Sequence, residues 1–315
     1  MPGLNLEQAS GEVARNLVIA QACAARTAYA ALCKGEDPEA LHDLRVALRR
    51  MRSLLRAYRA ELRLRKRIRR ELNELAAATN PARDAEVLLE LYSGLPLPTA
   101  REAKAGVAWA GMRLRDETAS GARAARLALD AELESLCRHV ERGLEFSADG
   151  QQTTWRTALS NRLEMAWVEL DAELQALRDE FSMARAHHAR IEVKRLRYLL
   201  EPVRAVLEPA KSLVQESKRL QTLLGDLHDA QVFAEWLMGA ASVAGARWGR
   251  AELVRTLDED VEEPDEAADA MPGLVYLGET VCERERALAD EVKAWLAGDG
   301  LQGLGEAMRV MREAL

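Results

Sequence analysis

The sequence predicts an all-α protein, on three observations. Ala, Leu, Arg and Glu dominate its 315 residues, aromatic residues reach only 4% and β-branched runs are scarce, which is the composition of long packed helices. Hydrophobic residues make up 48% of the chain and recur at spacings of three and four rather than two. The chain also repeats itself: shifted by 145 residues without a gap, residues 41–62 match residues 186–207 at 9 of 22 positions.

That repeat pairs His42 with His187, Arg45 with Arg190, Arg50 with Arg195, Arg52 with Arg197 and Arg59 with Arg204. Further downstream it pairs Asp84 with Asp229 and Val87 with Val232. Two similar halves, 5–146 and 151–315, predict two pseudo-symmetric helical bundles within one domain spanning 1–315.

Periodicity and breakers place helices at about 6–33, 38–63, 64–79, 82–93 and 99–146 in the first half. The second half reads as helices at about 151–182, 185–208, 210–224, 228–246, 248–260, 273–297 and 301–314. Breaks are expected at Gly35–Pro38, Asn80-Pro81, Gly225, Gly245, Pro264 and Pro272, and loops at Gly94–Pro98 and Phe146–Gln152. Asp84 and Asp229 are each expected to begin a helix, where a carboxylate favours the N-terminal end of the dipole, or to orient an arginine. Trp155, Trp167, Trp236 and Trp295 read as core residues.

Four scattered cysteines, Cys23, Cys33, Cys137 and Cys282, form no CxxC and are too few for a disulfide framework, so a reducing compartment is expected. The N-terminus has neither a basic nor an apolar leader region, and no run of 18 apolar residues occurs. A cytoplasmic protein with no membrane span is the expectation.

The formal net charge of −7 hides a segregated distribution. Residues 41–70 hold twelve Arg or Lys against two acids, Asp43 and Glu61, whereas residues 258–269 hold eight acids and no base. The acidic run reads as an exposed loop or a frayed helix end.

On a helical wheel Leu44, Leu48, Met51, Leu54, Leu55, Tyr58 and Leu62 share one face, while His42, Arg45, Arg49, Arg52, Arg56, Arg59 and Arg63 share the opposite one. The second half repeats the arrangement. Val193, Leu196, Leu199, Leu200, Val203 and Leu207 face one way, and His187, Arg190, Lys194, Arg197 and Arg204 the other, with Glu201 interrupting at the position equivalent to Arg56. Arg50 and Arg195 flank these stripes.

A solvated helix face normally mixes signs, because like charges three or four apart cost about 0.2–0.5 kcal/mol per pair and opposite charges gain as much. A single-sign row carried twice therefore points to an anionic partner. Arginine in preference to lysine points to phosphate, since the planar guanidinium grips its oxygens in pairs.

At these residues the sequence resembles the CHAD family, the conserved histidine α-helical domain. The motifs LHDLRVALRRMRSLLRAY (41–58), RDAEVL (83–88), RIEVKRLRYLLE (190–201) and LQTLLGDLHDA (220–230) are similar to that family's signature blocks, in its order. The resemblance implies two pseudo-symmetric bundles, a central basic cavity, and binding of inorganic polyphosphate, often with association to polyphosphate granules. It places His42, Arg45, Arg49, Arg50, Arg52, His187, Arg190, Lys194, Arg195 and Arg197 at matching positions, and Arg56, Arg59, Arg63 and Arg204 extend or flank them. Asn80-Pro81 stands where the family usually has Leu-Gly, His188 is an extra histidine, and His228 replaces a common Asn. Some relatives carry a triphosphate-processing domain; none is expected here, and neither is catalysis or a cofactor.

Two rivals stand beside this reading. His42-Asp43 and His228-Asp229 are HD dipeptides of the kind found in metal-dependent phosphohydrolases, and His187-His188 would supply further ligands. The repeat argues against that, because His228 is matched by Arg83 and Asp43 by His188. A nucleic acid is the less favoured polyanion, since neither a helix-turn-helix signal nor stacking aromatics accompany the arginines. A histidine phosphotransfer role has less support still. His42 and His187 are expected to touch phosphate more strongly as pH falls through the ordinary histidine range, or else to be hydrogen-bonded residues at helix starts. Homo-oligomerisation is left open.

Overall fold

Apolar residues three and four apart build the first helices, and each fully buried leucine among them contributes about 1.5–3 kcal/mol of transfer free energy. The computed structural model describes residues 5–35, 37, 39–145, 153–257 and 270–315. Along the chain run α1 (Ser10–Lys34), α2 (Ala40–Ala57), α3 (Arg59–Leu62), α4 (Lys66–Ala78), α5 (Asn80–Ser93) and α6 (Arg101–Glu145). They are followed by α7 (Trp155–Asp179), α8 (Met183–Leu200), α9 (Glu208–Leu257), α10 (Ala270–Ala297) and α11 (Asp299–Glu313). Among the described residues there is no strand, only an isolated antiparallel bridge between Ala9 and Thr154. The protein is all-α, as its composition predicts.

The chain divides into two compact units, each drawn from both halves of the sequence. One comprises Met1–Asn80, Ala124–Leu224 and Lys293–Leu315; the other comprises Pro81–Arg123 and Gly225–Val292.

In the first unit α1 packs on α2, α7 on α8, α2 on α8 and α1 on α7. The starts of α1 and α7, and of α2 and α8, lie one repeat offset apart to within two residues. Leu44, Leu48, Met51, Leu54, Leu55, Tyr58 and Leu62 are all buried, as are Val193, Leu196, Leu200 and Val203, while Leu199 and Leu207 are half-buried. Tyr58 stacks on the fully buried Trp155 with ring centroids 4.5 Å apart. Local signals place the ends. Gly35, at φ 70°, closes α1 in a left-handed turn that a Cβ would strain. The side chains of Thr154 and Ser182 accept from the Thr157 and Arg185 amides at 3.3 Å and cap α7 and α8.

In the second unit α6 and α10 meet backbone to backbone at Gly106 and Gly273, where a Cβ on either would enter the other helix's main chain. Tyr92 Oη donates to the Val107 carbonyl at 2.9 Å, and Trp236 Nε1 donates to Glu117 at 2.8 Å.

Several boundaries differ from expectation. Gly225 and Gly245 interrupt nothing, because both lie inside α9. A glycine costs a helix only about 1 kcal/mol relative to alanine, and the Ala- and Leu-rich flanks outweigh it. Asp229 therefore sits in the middle of α9 rather than at a helix start, and Asp84 is the fifth residue of α5. Pro272 sits in the first turn of α10, where a missing N–H costs nothing, instead of preceding the helix. Thr79 ends α4 and α5 begins at once with Asn80-Pro81. The Gly94–Pro98 loop is non-helical as expected, whereas Phe146–Gln152, the acidic run 258–269 and Pro264 lie outside the described residues. Of the four tryptophans read as core, only Trp155 is buried; Trp167, Trp236 and Trp295 are half-buried.

Candidate functional site: an arginine-lined cavity

The two cationic rows are shorter than the sequence implies. The row on α2 stops at Ala57, whose carbonyl accepts from Arg162 Nε at 2.6 Å. Arg59 falls in the single turn of α3, and Arg63 closes that turn at φ 44°. The row on α8 stops at Leu200, because Pro202 has no N–H to continue the ladder, and Arg204 lies in the turns that follow.

What remains converges on a cavity of about 800 Å³ within the first unit. From α2 it takes Arg49, Arg52 and Arg56, and from α8 Lys194, Arg195 and Tyr198. Arg162 and Met165 of α7 and Asn73 of α4 complete its sides, with Glu169 as its acidic member.

Charge in this cavity is unbalanced. Among the described residues Arg49, Arg52 and Arg56 make no ion pair, whereas Arg162 is held by Glu61 and Arg195 by Glu192 at 2.5 Å and Glu169 at 3.4 Å. Loss of hydration, then the charges of Arg56 and Arg49, lowers the pKa of Arg52, although that side chain still reaches solvent. Arginine keeps its proton under such pressure, so the crowding persists as positive potential.

Hydrogen-bonding capacity is unbalanced in the same sense. Arg49 Nε, Arg195 Nε, Tyr58 Oη and Tyr198 Oη are buried without a partner among the described residues, and all four side chains line the cavity. Burial, as the main cause, raises the Tyr58 pKa, which keeps the phenol a donor. The guanidiniums of Arg49 and Arg197 lie 5.5 and 4.9 Å from the centroid of the Tyr198 ring.

Of the residues singled out in the sequence, Arg49, Arg52, Arg56, Lys194 and Arg195 meet at the cavity. His42, Arg45, Arg50, Arg59, His187, Arg190, Arg197 and Arg204 are not part of its lining. Arg50 and Arg197 are instead bound to Glu201, and Arg197 Nε also donates to Gln221 at 2.8 Å. Arg45 donates to Asn80 Oδ1 at 3.4 Å, while Arg59 and Arg204 are exposed. The rings of His187 and His188 stand 6.4 Å apart, and burial, then Arg190, His188 and Lys194, lowers the His187 pKa. Titration of His187 therefore falls below the ordinary histidine range expected from sequence.

Sequence reasoning missed Arg162, Glu169 and Tyr198. The first two belong to α7, where no single-sign row marks a face. Tyr198 was within reach, four residues beyond Lys194 on the same side of α8.

Among the described residues no group of three or more His, Cys, Asp and Glu side chains is placed to hold a metal ion, and no helix is long and apolar enough to cross a membrane. All four cysteines are free thiols, and only Cys137 is buried.

Fold and cavity together define an all-α protein with an arginine-rich hollow between paired helices. The chain belongs to the CHAD domain family, whose model matches residues 18–238. In fold it is similar to the crystal structure of the CHAD domain from the plant Ricinus communis, at 21% identity over 94% of each chain and a TM-score of 0.68. It is also similar to PptA from Streptomyces chartreusis, at 20% identity over 90% of this chain and 99% of that one, with a TM-score of 0.53. No curated protein matches the chain.

Proposed function

We propose that this cavity binds inorganic polyphosphate without catalysis, and that the protein works in the cytoplasm by associating with polyphosphate, including its granules. One observation carries the reading: among the described residues, three arginines without a carboxylate and four buried donors without an acceptor share a single cavity. A guest that satisfies both must be anionic and rich in acceptor oxygens, and phosphate does so at every unit of its chain. Membership of the CHAD family supports the same ligand.

The test is a titration of the protein with polyphosphate chains of defined length, in competition with duplex DNA at physiological salt. Polyphosphate should displace DNA, and the double substitution Arg49→Glu, Arg52→Glu should abolish binding while the helical circular dichroism persists. Equal affinity for the two polyanions, or full binding by the double variant, would remove the basis of the proposal. Released phosphate in the presence of Mn²⁺ or Mg²⁺ would instead favour the HD-type hydrolase reading.

A further inference from the structure

The cavity has two chemistries, and an inorganic chain uses only one. Besides its cations, the lining includes Met165 and Ala166 of α7, Ile191 and Leu199 of α8, and Pro202 beyond it. Met165 keeps 67% of its surface exposed, a large apolar side chain standing in water at the edge of a charged hollow. Polyphosphate presents oxygen on every side, so it can neutralise the arginines but leaves this apolar surface wet. Covering such a surface is worth about 25 cal/mol per Å², which a ligand with an apolar part would gain in addition to its phosphate contacts.

Two polar groups narrow the choice. Glu169 is exposed and meets Arg195 only at 3.4 Å, and Asn73, also exposed, is a further polar member of the lining. A carboxylate repels a phosphate but accepts from a hydroxyl or a ring N–H, and an amide both donates and accepts. A phosphorylated acyl chain would suit Met165 and Ile191 yet offer nothing to Glu169. A phosphate chain esterified to a sugar bearing a flat ring offers something to each group.

We infer that the cavity takes nucleoside di- and triphosphates as a second ligand class, with the phosphates on Arg49, Arg52 and Arg56 and the nucleoside against Met165, Ile191 and Leu199. The inference rests on the phosphate-binding reading for its cationic side and goes beyond it for the apolar one.

The experiment compares adenosine triphosphate with inorganic tripolyphosphate by calorimetry on the full chain, at one salt concentration and without divalent metal. The nucleotide should bind about fivefold more tightly, the scale expected when a ring covers a few apolar side chains. In Met165→Ala, whose exposed side chain leaves the fold undisturbed, that ratio should shrink towards one. Tripolyphosphate bound as tightly as the nucleotide, or a ratio unchanged in Met165→Ala, overturns the inference while the phosphate-binding reading stands. Failure of every phosphate chain to bind, long polyphosphate included, overturns both.

Discussion

Glu201 joins the two arginine-bearing helices: its Oε2 accepts from Arg50 Nε of α2 at 2.9 Å, and its Oε1 accepts from Arg197 of α8 at 2.6 Å. The carboxylate is only 11% exposed and Arg197 only 14%, so water competes weakly for the contact. In the sequence Glu201 merely interrupts a basic stripe. In the fold it withdraws two arginines from that stripe and braces α2 against the end of α8, while Arg49, Arg52, Arg56 and Arg195 of these helices line the cavity.

Glu201→Gln should therefore act in opposite directions on stability and on affinity. Removing the charge leaves Arg197 poorly compensated, at a cost of about 2 kcal/mol, less than for a fully buried pair because Arg50 is part-exposed. The same change restores two positive charges beside the cavity, so polyphosphate should bind more tightly at low salt. Urea denaturation and a binding isotherm on one preparation test both; weaker binding together with lower stability would mean that the brace matters more than the charge.

The salt dependence of binding should report which cations touch the ligand. If Arg52 and Arg56 each neutralise one phosphate, Arg52→Gln or Arg56→Gln should flatten the slope of log K against log salt by about 0.7–1. Arg59→Gln and Arg204→Gln alter exposed residues outside the cavity lining and should flatten it less. Equal effects at all four positions would speak for diffuse attraction in place of a defined site.

The parts of this fold legible in the sequence are those set by periodicity. All seven apolar residues assigned to this core face, five in α2 with Tyr58 and Leu62 beyond it, are buried, because so many large side chains on one stripe must leave water together. The cationic face was legible as a pattern but not in its extent. Its ends depend on Arg162 reaching the Ala57 carbonyl from 105 residues away, and its charge balance depends on Glu201 bonding Arg50 from 151 residues away. Neither contact leaves a local trace. Gly225 and Gly245 misled for a related reason: a breaker signals only a cost, and whether the helix continues is decided by what packs along it.

Acid should destabilise the protein partly through His187. Burial and neighbouring cations hold its folded pKa below the ordinary value, so between the two values the unfolded chain binds more protons than the folded one. Stability thus falls as pH drops from the ordinary histidine value towards the folded one. Carboxylates with depressed pKa values, such as Glu71 beside Arg67 and His139, contribute in the same direction at lower pH. His187→Gln should remove the histidine component, seen between about pH 7 and pH 5, and leave the carboxylate one, seen below about pH 5, both read from denaturant midpoints. An unchanged profile would show that His187 carries no such penalty.

Glycines inside helices should divide into two kinds by what surrounds them. A Cβ on Gly273 would press against the Val107 amide and the Ala103 carbonyl, both main-chain groups of α6 that cannot swing aside. Gly273→Ala should therefore force α10 away from α6 and lower stability by about 1–3 kcal/mol, as overpacking does elsewhere. Around Gly245 of α9 a Cβ meets nothing within 4 Å. There the substitution to alanine only restricts the unfolded chain and improves helix propensity, and stability should rise by about 0.5–1 kcal/mol. Thermal melts of the two variants separate the cases: opposite shifts are expected, and a loss at Gly245 would mean that the helix needs its backbone freedom at that point.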